Sequence, residues 1–242
     1  MVELLTDEMK RQFVLTVWNN KSIRDVEVVI EALDLKPVSK PPGFSSFTES
    51  TQNRLFAAGA KQQIDDQLSA TGLGPANQRI TGDPSDKQRQ AKAEPVVIWE
   101  YERMGAPNGA RVMMKTGAGN CDQMAAAAAI IVCMSGGGAD LWSMPGHVFT
   151  VVGGPAKGTV SSTIDFSESA FRDAWVVDPW ADIICQAKDY KDELANRMRF
   201  WSSEGRKVIT THGKPPNLVT EWLAPTDKIW TDRLEEPKIQ RT

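Results

Sequence analysis

The chain has 242 residues, of which 41% are apolar, enough to bury a full core as one large domain or as a domain with an appendage. Its net charge of −3 gives no electrostatic reason to expect nucleic acid or an acidic membrane as a partner. No apolar run reaches the roughly 18 residues that a membrane span needs, Met1 to Lys21 lacks the apolar core of a signal peptide, and three cysteines do not make a disulfide framework.

A reducing compartment fits best. The protein is expected in the cytoplasm of the cell that makes it, or secreted by a route without a cleaved signal peptide.

Met9, Phe13, Val14 and Val17 recur at helical spacing, which predicts an amphipathic helix over 7–20. Ser22 is placed to cap a second helix, with Val26, Val29, Ile30 and Leu33 on one face. Pro37, Pro41, Pro42 and Gly43 make 36–50 irregular. Helical spacing returns over 51–68 through Leu55, Phe56, Ile64 and Leu68. The stretch 69–93 is polar and holds Gly72, Gly74, Pro75, Gly82 and Pro84, so it reads as a long loop that is mobile or functional. Val96 to Trp99 marks the return of buried structure, as helix or strand, and 105–120 is turn-rich around Val112-Met113-Met114.

Gly117-Ala118-Gly119-Asn120-Cys121-Asp122-Gln123-Met124 then runs into five alanines and on to Met134. The glycines permit a tight entry into a helix, and Asn120 is a good N-cap. Cys121 therefore falls in the first turn, where backbone N–H groups lack partners and the helix dipole favours an anion. A cysteine so placed tends to ionise readily, and the same N–H groups can hold a developing oxyanion. Asp122 opposes this, because a neighbouring carboxylate disfavours a thiolate. The plainer reading is a buried helix with an inert cysteine. Cys133, between Val132 and Met134, reads as core; Cys185, after Ile183-Ile184, has no glycine turn beside it.

His147 opens the apolar run Val148-Phe149-Thr150-Val151-Val152, a strand buried on at least one face. The only other histidine, His212, lies in Thr211-His212-Gly213-Lys214-Pro215, which looks like an exposed turn. Asp178 closes the strand Ala174 to Val177 and precedes Pro179, which ends ladder bonding. The segment 153–172 reads as a long hairpin connection. Antiparallel pairing of its flanking strands sets His147 beside Asp178 at one edge of the sheet, where the carboxylate fixes the imidazole tautomer and steadies its charge. Trp180 is placed to shield that pair. Asp140, Asp165, Asp173 and Asp182 are rival carboxylates, but none closes an apolar strand so cleanly.

Three motifs in this order resemble the papain-like and transglutaminase-like cysteine enzyme superfamily: Gly119-Asn120-Cys121-Asp122-Gln123-Met124-Ala125, Gly146-His147-Val148-Phe149 and Val176-Val177-Asp178-Pro179-Trp180. The sequence is most similar to the compact domains of bacterial effectors and toxins, which include deamidases and proteases. The resemblance covers roughly 110–190. It implies an α+β fold with a central antiparallel sheet packed on a helix that begins at the cysteine. It implies a catalytic triad of Cys121, His147 and Asp178, with Asn120 and Trp180 as flanking oxyanion or substrate-binding residues. The implied activity is cysteine-dependent acyl transfer on a protein or peptide, as protease, glutamine deamidase or transglutaminase, with neither metal nor cofactor. The separation of His147 and Asp178 exceeds the family's usual short hairpin, so an insertion lies between them.

The expected organisation is a helical and loop-rich N-terminal region over 1–93, a catalytic core over 94–207 and a wrapping tail over 208–242. The tail carries Trp222 and Trp230, and 186–201 before it is expected to be a helix with Tyr190, Leu194, Met198 and Trp201 on one side. Two other classes of function stand beside the enzyme. One is an inactive relative serving as a binding module. The other is a metal site built from the same three residues, although these lack the paired-ligand spacing of zinc sites.

Overall fold

A computed structural model describes residues 36–104, 110–155, 165–212, 219–235 and 239–241. The two helices expected before residue 35 lie outside the described residues. What is described mixes helix and sheet in an α+β arrangement.

The first long helix, α1 (Glu49–Thr71), opens on Thr48, whose hydroxyl accepts the Thr51 N–H at 3.3 Å. It stops at Gly72, which takes the left-handed backbone that glycine tolerates best. Its face of Phe56, Ala57, Ala60 and Ile64 lies in the main core. The stretch read as one long loop is instead ordered into β1 (Gly74–Pro75), β2 (Gln78–Ile80) and α2 (Pro84–Met104). The glycine and proline signals there were turns between short elements. The structure expected at Val96 to Trp99 is helix, and it begins earlier, at Pro84; the part before Val96 reads as loop because most of its side chains face water, with only Gln90 and Ala93 buried. The turn-rich stretch after it contains a short helix, α3 (Ala110–Thr116), and a two-residue strand, β3 (Ala118–Gly119), parallel to β1.

Helix α4 (Cys121–Met134) begins at the cysteine, and its alanines 125 to 128 are buried. Their small side chains let the helix lie close to the central sheet, and the Thr150 hydroxyl donates to the Ala125 carbonyl at 2.6 Å. That sheet is built from β4 (Ala139–Met144), β5 (His147–Val152), β6 (Trp175–Asp178), β7 (Ile183–Gln186) and β10 (Gln240–Arg241). Its order is β10-β4-β5-β6-β7, antiparallel throughout. Thr150 and its cross-strand partner Val177 share the face toward α4. The opposite face carries Trp142 and Phe149, which meet Phe166 and Phe171 in a cluster of edge-on rings. Strands β4 and β7 were not foreseen. Each is short and follows turn residues that mask its alternation.

After a short 3-10 turn, α5 (Tyr190–Ser203) buries Tyr190, Leu194, Met198 and Trp201, the expected side. Strands β8 (Arg206–His212) and β9 (Val219–Leu223) form a second sheet with β2, in the order β2-β8-β9. His212 is the last residue of β8 rather than part of a turn. Helix α6 (Lys228–Glu235) brings Trp230 against Trp180. Among the described residues no helix is long and apolar enough to cross a membrane.

Candidate active site

The N-terminus of α4 is shaped by two glycines. Gly117 has φ +69°, and a Cβ on it would fall 1.8 Å from the Thr71 hydroxyl oxygen. Gly119 lies so close to Met113 that a Cβ would fall 2.4 Å from its Cγ. Asn120 is the N-cap residue, and its backbone N–H donates to the Gln123 side-chain oxygen at 2.7 Å. This leaves Cys121 in the first turn, half-buried at the border of the core.

His147 and Asp178 come from the neighbouring interior strands β5 and β6. Register pairs Thr150 with Val177. One step further sets Phe149 opposite Asp178, so His147 is the diagonal neighbour on the same face. The pair therefore sits at the rim where one central strand begins and the next ends, side by side as the antiparallel pairing led one to expect. His147 Nε2 donates to Asp178 Oδ2 at 2.7 Å, and both side chains are 1% exposed. Asp178 is itself held from two sides. The Tyr190 hydroxyl donates to Oδ2 at 2.8 Å, and the Ala181 N–H donates to Oδ1 at 3.1 Å. Burial, then the charge of Asp178, keeps the Tyr190 hydroxyl protonated well above its usual range, so it remains a donor.

Burial alone would discharge the His147 imidazole. The Asp178 charge and hydrogen bond, joined by the Cys121 thiol, outweigh it and raise the pKa to about 10. With Nε2 given to the carboxylate, Nδ1 is the nitrogen left for the sulfur, and it has no partner among the described residues. No hydrogen bond of full geometry joins it to Cys121. Contacts of this kind are often loose before substrate arrives.

Trp180 lies over the imidazole, with ring centroids 4.7 Å apart, and is backed by Trp201 at 5.1 Å and Trp230 at 6.2 Å. Its indole N–H donates to Asn77 Oδ1 at 2.8 Å, and its carbonyl accepts from the Gln78 side chain at 3.0 Å. The Asn120 side-chain oxygen accepts the Asn77 N–H at 3.1 Å. The Asn120 side-chain oxygen and the Trp180 indole and carbonyl are thus engaged with the segment 77–78, which bridges the Cys121 wall and the His147 wall.

The other candidates lie elsewhere. Cys133 is exposed, and its thiol donates to the Ala139 carbonyl at 3.8 Å. Cys185 is buried, and burial followed by Glu193, Asp189 and Asp178 pushes its pKa up to about 12. Asp182 pairs with Lys61 at 2.5 Å and Arg197 at 3.1 Å. Asp165 accepts from the Ser167 N–H, and Asp173 lies near Arg172. Tyr190 and Asn77 were missed as members of the site. Tyr190 was already marked as facing the core, but its hydroxyl needed a buried acceptor to explain it, and Asp178 was the one available. In comparisons with protein-family models, curated proteins and solved structures, none matched this chain.

Proposed function

We propose that this protein is a cysteine-dependent acyl-transfer enzyme acting on an amide of a protein or peptide, with a papain-like or transglutaminase-like arrangement of Cys121, His147 and Asp178. The observation that carries the reading is the buried His147–Asp178 pair, with the half-buried Cys121 beside it at a helix N-terminus.

The chemistry follows from that order of groups. The Cys121 sulfur, its proton held by His147, attacks the carbonyl carbon; a C–S bond forms and the π pair moves to oxygen. Collapse breaks the C–N bond, and the leaving nitrogen takes the proton from the imidazolium. Water then loses a proton to His147, attacks the thioester and releases the carboxylate and the Cys121 thiolate. A side-chain carboxamide gives glutamate and ammonia, a backbone amide gives a cut, and an amine in place of water gives a cross-link. Asp178 keeps Nδ1 aimed at sulfur by holding Nε2, and Tyr190 fixes Asp178.

The test is mass spectrometry of candidate target proteins after incubation with wild type and with Cys121→Ala. A gain of about one dalton on glutamine, a backbone cut or a cross-link made only by wild type supports acyl transfer. Identical spectra from both proteins across a broad panel of targets would sink it.

A further inference from the structure

Acyl transfer needs donors for the oxygen that becomes negative in the tetrahedral intermediate. The first turn of α4 offers the Cys121 N–H, which has no partner within the helix. The Trp180 indole N–H and the Asn120 backbone N–H are already spent, on Asn77 and on Gln123, which leaves a side-chain amide as the source of the second donor.

Asn77 reaches both walls of the site through Asn120 and Trp180. Its backbone N–H holds the side chain of Asn120, the residue before Cys121. Its backbone carbonyl accepts the Ile209 N–H at 3.0 Å, which ties it to β8. Its side-chain oxygen takes the Trp180 N–H, over the imidazole. Three fixed bonds leave one polar group over. The amide Nδ2 has no hydrogen-bond partner among the described residues, and Asn77 is only half-buried in the gap between the two walls. Because Trp180 can only donate, it fixes the amide orientation with Oδ1 toward the indole and Nδ2 away from it.

We infer that Asn77 Nδ2 is the second oxyanion donor of the site, oriented by Trp180 and working with the Cys121 N–H. The inference rests on the acyl-transfer reading. As sulfur bonds to carbon and the π pair moves to oxygen, both N–H groups donate to that oxygen and neither bond to hydrogen breaks.

Two reagents separate the roles. Iodoacetamide alkylates sulfur by displacement and builds no oxyanion, whereas p-nitrophenyl acetate acylates it through one. Both rates are measured on the intact chain, with peptide mapping to assign the label to Cys121. Asn77→Ala is expected to slow acylation by about 10²-fold or more, the usual cost of one lost oxyanion donor, while alkylation stays within about threefold. Trp180→Phe keeps an aromatic ring over His147 but leaves the Asn77 amide unoriented, so it should also slow acylation selectively. It provides the test if Asn77→Ala does not fold. Equal effects on both reactions, or none on either, would overturn the assignment of Asn77 while leaving the enzyme reading intact. A wild-type Cys121 that reacts with neither reagent faster than Cys133 would overturn both.

Discussion

A histidine buried to 1% at its side chain stays charged here only because an equally buried carboxylate faces it at 2.7 Å. That has a consequence for stability. The folded-state pKa is raised from 6.5 to about 10, so between those values the folded protein holds a proton that the unfolded chain has released. The contribution is fully present below about 6.5 and is lost as pH rises toward 10. Urea midpoints should therefore fall between pH 6.5 and pH 9.5 in wild type. Asp178→Asn, which removes the charge that raises the pKa, should be less stable at pH 6.5 and show a much flatter profile. Parallel profiles for the two proteins would show that this pair is not the source. Cys121, His147 and Asp178 could be read at this scale because each sits at a junction that the sequence marks: a glycine-rich helix start, the head of an apolar strand and a strand stopped by proline. Tyr190 and Asn77 could not, since their roles are fixed by partners 12 and 103 positions away.

The elements around the site were legible in proportion to their periodicity. Helices α1 and α5 and strands β5 and β6 have clear patterns and were expected close to where they lie. The first half of helix α2 and strands β4 and β7 have no such pattern, because their apolar residues are few or split by turns. The turn before α4 is where an element-scale prediction belongs. Gly117 combines a left-handed backbone with a neighbour, the Thr71 hydroxyl, that leaves no room for a methyl group. Gly117→Ala should therefore destabilise the fold by about 2 kcal/mol or more, the sum of a backbone penalty and a steric one. Chemical denaturation measures this. Because the turn aims the start of α4, the variant should also slow iodoacetamide labelling of Cys121. A loss under 0.5 kcal/mol, roughly the bound for a surface change, would mean the turn has freedom the structure does not show.

Across the whole molecule, the parts of the site come from segments that no local pattern connects. The Cys121 wall belongs to α4, the His147–Asp178 pair to the central sheet and the bridge between them to residues 73–78. That last segment is held by one side chain on α2. The Arg89 guanidinium donates to the carbonyls of Leu73, Pro75 and Gln78, the last two at 2.7 and 2.6 Å, and its Nε meets Asp86 at 2.6 Å. Asp86 in turn accepts the Ile80 N–H at 2.6 Å. A planar fork with five donors suits this task, and no other side chain can satisfy three carbonyls and a carboxylate at once. Arg89→Lys keeps the charge but loses the fork and leaves three donors for four acceptors, so it should free at least one of the carbonyls and cost about 1–3 kcal/mol. Its more telling effect would be on the distant site. With 73–78 loosened, the Asn77 bridge to Asn120 and Trp180 should slacken. Hydrogen exchange at Asn77, Gln78 and Ile80 should speed up by about tenfold for every 1.4 kcal/mol of lost local stability, while the amides of β5 and β6 keep their protection. Faster exchange across all of these amides together would mean that Arg89 supports the fold as a whole. Faster exchange confined to the segment would show a site assembled by a clamp outside the central sheet.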